Sequence, residues 1–170
     1  MRAIILCGGY GKKLRPLTWL KPKCMVRVNG KPVLEHIVNH LRNHGINEIY
    51  VNLHYKPKQV MDYFGTSLVY LYEPKLLGEE GTISALYPYI NNDWCVVVNG
   101  DTLTNLDINK MFSLSWGKEI KYMDGDIYAG VRIIPPNYLP GEKFTKYQDT
   151  ESYWIDMGTF EGLRKAQKLI

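Results

Sequence analysis

The stretch AIILCGGYG, residues 3–11, decides how the chain is read. Ala3–Cys7 is apolar without interruption and stops at two glycines, the pattern of a strand buried on both faces in a parallel sheet. The segments that follow continue that pattern. PVLEHIVNHLRNHG (residues 32–45) sets Val33, Leu34, Ile37, Val38 and Leu41 on one helical face, with Pro32 at its start and Gly45 past its end. EIYVNL then predicts a strand, PKQVMDYFG a short helix closed by Gly65, LVYLYEP a strand, TISALYPYI a helix and WCVVVNGD a further strand. The alternation implies an α/β fold with helices on both faces of a mostly parallel sheet. Beyond Asp101 we expect a helix in NLDINKMFSLSW, a strand in DIYAGVRII, and a strand end with a closing helix in SYWIDMGTFEGLRKAQKLI. IPPNYLPGEKFTKYQD reads as loop with at most a short helical turn.

With 170 residues, 45% of them hydrophobic, the chain can build one core, and no repeat or linker suggests a second. The formal charge of +4 is spread among mixed acids and bases, which argues against a nucleic-acid partner held by bulk charge. Cys7, Cys24 and Cys95 are odd in number and distant in sequence, so neither a disulfide framework nor a zinc knuckle is expected. The chain begins directly in a strand pattern, and no apolar run approaches membrane-spanning length. The expectation is a cytoplasmic protein with no membrane anchor.

Charge gathers in one place. Residues 6–25, LCGGYGKKLRPLTWLKPKCM, hold Gly8, Gly9 and Gly11, then Lys12, Lys13, Arg15, Lys21 and Lys23, and no acid. In an open α/β sheet the loop after the first strand lies at the ligand edge, where glycines let backbone N–H groups approach an anion. Pro16, Leu17, Trp19, Pro22 and Met25 are interleaved with the charges, so the segment reads as a rigid loop presenting cations to a polyphosphate. Two acids face it. Asp101 follows the apolar strand of VVVNGDT and Asp156 sits similarly in YWIDMGT; together they suit Mg²⁺, which takes one or two protein carboxylates and completes its shell with water and phosphate oxygens. Either acid alone reads as a turn or capping residue.

In order, LCGGYGKKLRPLT, LKPKCMVRVNGKPVLEHIV, EPKLLGEEGTISAL, VVVNGDT and YWIDMGT resemble the sugar-1-phosphate nucleotidylyltransferases. The resemblance runs from residue 1 to about 106 and returns at the C-terminal end. It implies a three-layer, Rossmann-like nucleotidyltransferase domain over residues 1–170, with 1–106 as the nucleotide-binding half and 107–170 as a shortened acceptor half with its closing helix. It implies an enzyme joining an NTP to a sugar 1-phosphate with Mg²⁺ and releasing pyrophosphate, and self-association into a homo-oligomer. Leu6, Gly8, Gly9, Gly11, Lys12 and Gly81 would bind nucleotide; Lys13, Arg15, Lys23 and Asp101 would be catalytic; Asp101 and Asp156 would hold the metal. Gly130 and Tyr128, in the YAGV strand, would line the acceptor pocket.

The chain departs from the pattern in three ways. Lys12-Lys13 replaces Thr-Arg, keeping charge but losing the guanidinium fork. Glu79 and Glu80 replace Thr-Ala and are read as outward-facing loop acids, a hydrogen bond to a guanine edge or ribose hydroxyl being the alternative. KEIKYMDGDIYAGV arrives without the Glu-Lys-Pro segment that contacts sugar in the family, leaving open a smaller acceptor such as phosphocholine, or a non-catalytic nucleotide-binding homologue. His36, His40 and His44 share a helical face at metal-ligand spacing, yet a structural role is the favoured reading. Tyr55 is singled out for a substrate contact, and Trp19 as pocket wall, lid anchor or core residue.

Overall fold

The computed structural model describes residues 1–90 and 92–170. Its centre is a seven-stranded sheet of β1 (Arg2–Leu6), β4 (Ile49–Leu53), β5 (Val69–Tyr72), β6 (Cys95–Asn99), β8 (Ile120–Asp124), β9 (Ile127–Ile134) and β10 (Thr145–Tyr147), in the order β10-β8-β9-β6-β1-β4-β5. The run from β6 to β5 is parallel, and β9 joins β6 antiparallel. The alternate residues of β1 explain the layers: Ala3 and Ile5 pack beneath Val33, Leu34, Ile37, Val38 and Leu41 of α2 (Val33–Asn43), while Ile4 packs with Val97, Ile83 and Leu86 on the opposite face. An apolar residue at each of Ala3, Ile4 and Ile5 is therefore required. Gly45 (φ +80°) closes α2 beyond His44, as the sequence implies.

The other helices are α1 (Leu17–Leu20), α3 (Pro57–Phe64), α4 (Gly78–Leu86), α5 (Ile108–Ser113) and α6 (Phe160–Leu169). Two small ribbons complete the fold: β2 (Arg27–Val28) with β3 (Lys31–Pro32), and β7 (Thr102–Thr104) with β11 (Trp154–Asp156), both antiparallel.

One strand was not foreseen and one expectation needs correction. KEIKYMD contains strand β8, which forms a hairpin with β9 through Gly125-Asp126, a turn signal between two strand-length runs. The segment read as loop supplies β10, which pairs parallel with β8 and buries Tyr147. Among the described residues, no helix is long and apolar enough to cross a membrane.

Candidate active site

The parallel register brings Leu6, Asn52 and Asn99 level at the carboxyl edge of the sheet, since Leu6 pairs with both of the others. A cleft opens above them. One lobe of about 300 Å³ is walled by Leu6, Gly8 and Gly9 with Asn52, Glu73, Leu76, Gly78, Glu79, Thr82 and Asn99. A second of about 190 Å³ shares Leu6, Gly9 and Asn99 and adds Lys23, Gly100 and Asp101. Gly8 has to be glycine, because a Cβ there would stand 2.9 Å from both Asn52 Nδ2 and Leu76 Cδ2.

The walls of the first lobe are held by a buried polar network. Asn52 Oδ1 accepts from the Cys7 amide at 2.7 Å, and Asn52 Nδ2 donates to Glu73 Oε1 at 3.0 Å. Thr82 Oγ1 also donates to Glu73 Oε1, and Glu73 is 1% exposed. Such satisfied networks fix geometry at sites where a lone carboxylate would be costly. The network joins β4, β5 and α4 behind the glycine loop.

At the second lobe the sequence-predicted charges converge. Lys23 follows Pro22 in a 3₁₀ turn (Lys23–Met25), and its Nζ pairs with Asp101 Oδ2. Asp156 arrives from the other end of the chain because β11 pairs with β7, placing Asp156 opposite Thr102, and the Met157 amide donates to Asp101 O at 2.7 Å. A Cβ on Gly158 would lie 2.7 Å from Asp156 Oδ1, 2.8 Å from Lys23 Nζ and 3.3 Å from Asp101 Oδ2, so three charged groups surround one point. Burial pulls the Lys23 ammonium below the usual lysine range; Asp156 opposes this shift and Lys13 adds to it. The hard carboxylate oxygens fit a magnesium ion, and among the described residues there is no group of three or more His, Cys, Asp or Glu to build an all-protein metal cage.

Other predicted residues fall around this centre. Lys12 and Lys13 form a 3₁₀ turn with Leu14 and are exposed, with Lys12 Nζ 5.8 Å from the Tyr10 ring centroid; Arg15 is exposed beside them. The loop is pinned by Thr18 Oγ1 donating to Gly11 O at 2.8 Å; of the interleaved apolar residues, Pro16, Leu17 and Trp19 are exposed, so they do not supply the expected scaffold. Tyr55 serves that anchoring, donating to Thr18 O and Trp19 O at 3.0 and 3.1 Å. Trp19 is 60% exposed, which excludes the core role. Gly81 lies within α4 and outside the residues walling the cleft, while Gly78, Glu79 and Thr82 are among them. Gly130 (φ +77°) abuts Asn99 and Thr102, and the Tyr128 hydroxyl is buried without a hydrogen-bond partner among the described residues.

Glu79 and Glu80 are not loop acids facing outward. They form the first turn of α4 and pair with buried Arg132 on β9. No sequence signal singles out Arg132. His36 and His40 bond the carbonyls of Val28 and Leu106, and His44 bonds His40 O, consistent with structural roles. His36 and His40 also line a cavity of about 200 Å³ between α2 and β7, whose walls include neither Lys23 nor Asp101. Cys7, Cys24 and Cys95 are all buried and free.

Comparison with known proteins decides the family. A family model described as nucleotidyl transferase matches residues 2–119, more than half of the chain. The chain belongs to the nucleotidyltransferase family. Its relatives in that family include the D-glycero-alpha-D-manno-heptose 1-phosphate guanylyltransferase of Aneurinibacillus thermoaerophilus, 29% identical over 224 residues spanning 99% of this chain and 97% of that protein. The bifunctional protein GlmU of Methanocaldococcus jannaschii is 28% identical over 172 residues; this nucleotidyltransferase chain covers 42% of its length. The fold is shared with a solved structure: HddC from Yersinia pseudotuberculosis, complexed with GMP-PN, superposes with a TM-score of 0.85 over 98% of both chains at 24% identity.

Proposed function

We propose that the chain transfers a nucleotidyl group from an NTP to a sugar 1-phosphate, with pyrophosphate as the other product and Mg²⁺ held by Asp101 and Asp156. The observation that carries this is the convergence of Lys23, Asp101 and Asp156 on one point beside the glycine-loop cleft. The first lobe takes the nucleoside, between Leu6, Gly8 and Gly9 on one side and Gly78, Glu79 and Thr82 on the other. The second takes the phosphates, with Gly9 and Gly11 bringing the loop backbone close and Lys12, Lys13 and Arg15 gripping the β- and γ-phosphates.

An oxygen of the acceptor phosphate attacks the α-phosphorus, the bond to the bridging oxygen of pyrophosphate breaks, and no proton has to be removed from the ionised nucleophile. The demand on the protein is positioning and charge stabilisation. Lys23, held beside Asp101 at the phosphate lobe, is the cation that would neutralise charge arising at the α-phosphate. Mg²⁺, when bound, offsets charge on the phosphate oxygens and orients them. Gly130, packed against Asn99 and Thr102, would stand on the acceptor side. Tyr128 backs that wall, since its hydroxyl is closed to solvent. These soluble substrates fit a cytoplasmic location.

GTP is the first nucleotide to test, because the relative matched along nearly its whole length is named a guanylyltransferase. Pyrophosphate release with Mg²⁺ is measured for GTP, UTP, dTTP, CTP and ATP against a panel of sugar 1-phosphates and phosphocholine. Turnover with one nucleotide and a sugar 1-phosphate is expected. Turnover with phosphocholine alone, or nucleotide binding with no turnover on any acceptor, would contradict the sugar-phosphate reading.

A further inference from the structure

Arg132 is 2% exposed in the interior of β9, on the sheet face toward α4. Its Nη1 donates to Glu119 Oε1 at 2.8 Å and to Tyr138 Oη at 3.0 Å. Its Nη2 reaches Glu80 Oε1 at 2.8 Å and Glu79 Oε1 at 2.9 Å. Tyr138 Oη also stands 3.3 Å from Glu80 Oε2. One guanidinium thus gathers three carboxylates, two from the first turn of α4 and one, itself 4% exposed, from the residue before β8.

Two features argue that this cluster is kept for placement more than for stability. Burying ions costs desolvation that their attraction often only balances, and an apolar set of the same volume would hold the layers as well. The cluster is also imperfectly satisfied, since Arg132 Nε is buried with no partner among the described residues. What the cluster does fix is α4. Gly78, Glu79 and Thr82 of that helix wall the first lobe of the cleft, and Glu79 belongs both to the wall and to the cluster. The two acids occupy the positions where the resembled pattern carries uncharged Thr-Ala, so the charge placed there is met from β9. The planar fork of arginine suits the task, because it engages carboxylates from different elements in one fixed plane.

We propose that Arg132 is a positioning residue for the nucleotide: through Glu79 and Glu80 it sets the first turn of α4 against the nucleoside. This rests on the nucleotidyl-transfer reading of the cleft. Arg132 touches no substrate and acts only through the two glutamates, and that gives the proposal its test.

GTP binding with Mg²⁺ is measured by calorimetry for the wild type, Arg132→Met, Arg132→Lys, the pair Glu79→Thr with Glu80→Ala, and the triple variant carrying Arg132→Met with that pair. Arg132→Met is expected to weaken GTP binding about tenfold, and Arg132→Lys less than that. The triple variant is expected to bind as the Glu79→Thr/Glu80→Ala pair does, because the link is already cut. A lowered melting temperature with GTP affinity unchanged in Arg132→Met would reduce the residue to a structural clamp and overturn the proposal. Independent, additive losses in the triple variant would overturn it as well. Should Arg132→Met fail to fold, the Glu79→Gln/Glu80→Gln variant tests the same link on partly exposed side chains, and unchanged GTP affinity there is the contradicting result. Absence of nucleotide binding by the wild type would instead overturn the proposed function, on which this inference depends.

Discussion

Replacing Gly158 with alanine probes the charged centre without removing any charge. Gly158 does not have a positive φ, so the backbone accepts alanine, and loss of a glycine's unfolded-state freedom alone would stabilise the fold by about 0.4–1 kcal/mol. The added methyl, however, lands 2.7 Å from Asp156 Oδ1, 2.8 Å from Lys23 Nζ and 3.3 Å from Asp101 Oδ2, where ordinary contact begins near 3.4 Å. Asp156 must therefore withdraw by about 0.7 Å and Lys23 by about 0.6 Å, and since a misplacement of about 1 Å costs about 10²-fold in rate, kcat should fall between about 10- and 100-fold. Nucleotide affinity should change little, because the walls of the first lobe are untouched. Steady-state pyrophosphate release reads kcat, and a thermal melt reads stability. A Gly158→Ala enzyme with wild-type kcat would refute the reasoning that these three groups act at this spacing.

Gly130→Ala places a Cβ at φ +77°, 3.0 Å from Asn99 Nδ2 and in collision with Thr102 Oγ1; a loss of about 1–3 kcal/mol in urea unfolding is expected, with a wild-type midpoint the contrary result. Leu34→Ala empties a fully buried position of α2 under the sheet and should cost about 2–5 kcal/mol in the same measurement, where a loss below about 1 kcal/mol would mean the helix packs elsewhere. Acid stability is the third. The Tyr50 hydroxyl, then Arg2, hold the Glu48 carboxyl below its ordinary 4.5, so its contribution is present above that pH and lost as pH falls through the lower folded value. The urea midpoint should decline below about pH 4.5, and less steeply in Glu48→Gln; identical acid limbs would show that Glu48 contributes nothing there.

Elements with local signatures were legible in the sequence. The unbroken apolar run of β1 and the helical face of Val33, Leu34, Ile37, Val38 and Leu41 each carry their own period, and both formed as read. β8 was missed although Ile120 and Tyr122 alternate with Lys121 and lead into Gly125-Asp126, a two-residue hairpin turn. β10 is three residues at an edge, too short to show a period, and it exists because β8 offers it hydrogen bonds.

The site divides in the same way. The glycine loop and Asp101 sit next to recognisable strand ends, so their type and place could be read together, whereas Lys23 is read from the basic segment and the resembled motif. That Asp156 joins Asp101 depends on β7 and β11 pairing across some fifty residues of chain, which motif order suggests and only the fold explains. Arg132 lies in an ordinary strand pattern, and its meaning comes from three acids on two other elements.

The central claim is that Asp101, Asp156 and Lys23 form one phosphoryl-transfer centre. The most direct test measures pyrophosphate release and GTP binding side by side for Asp101→Asn, which keeps the shape of the side chain and removes its charge. The account predicts turnover lowered by at least about 10²-fold while GTP affinity stays close to wild type. Unchanged turnover in Asp101→Asn would contradict it.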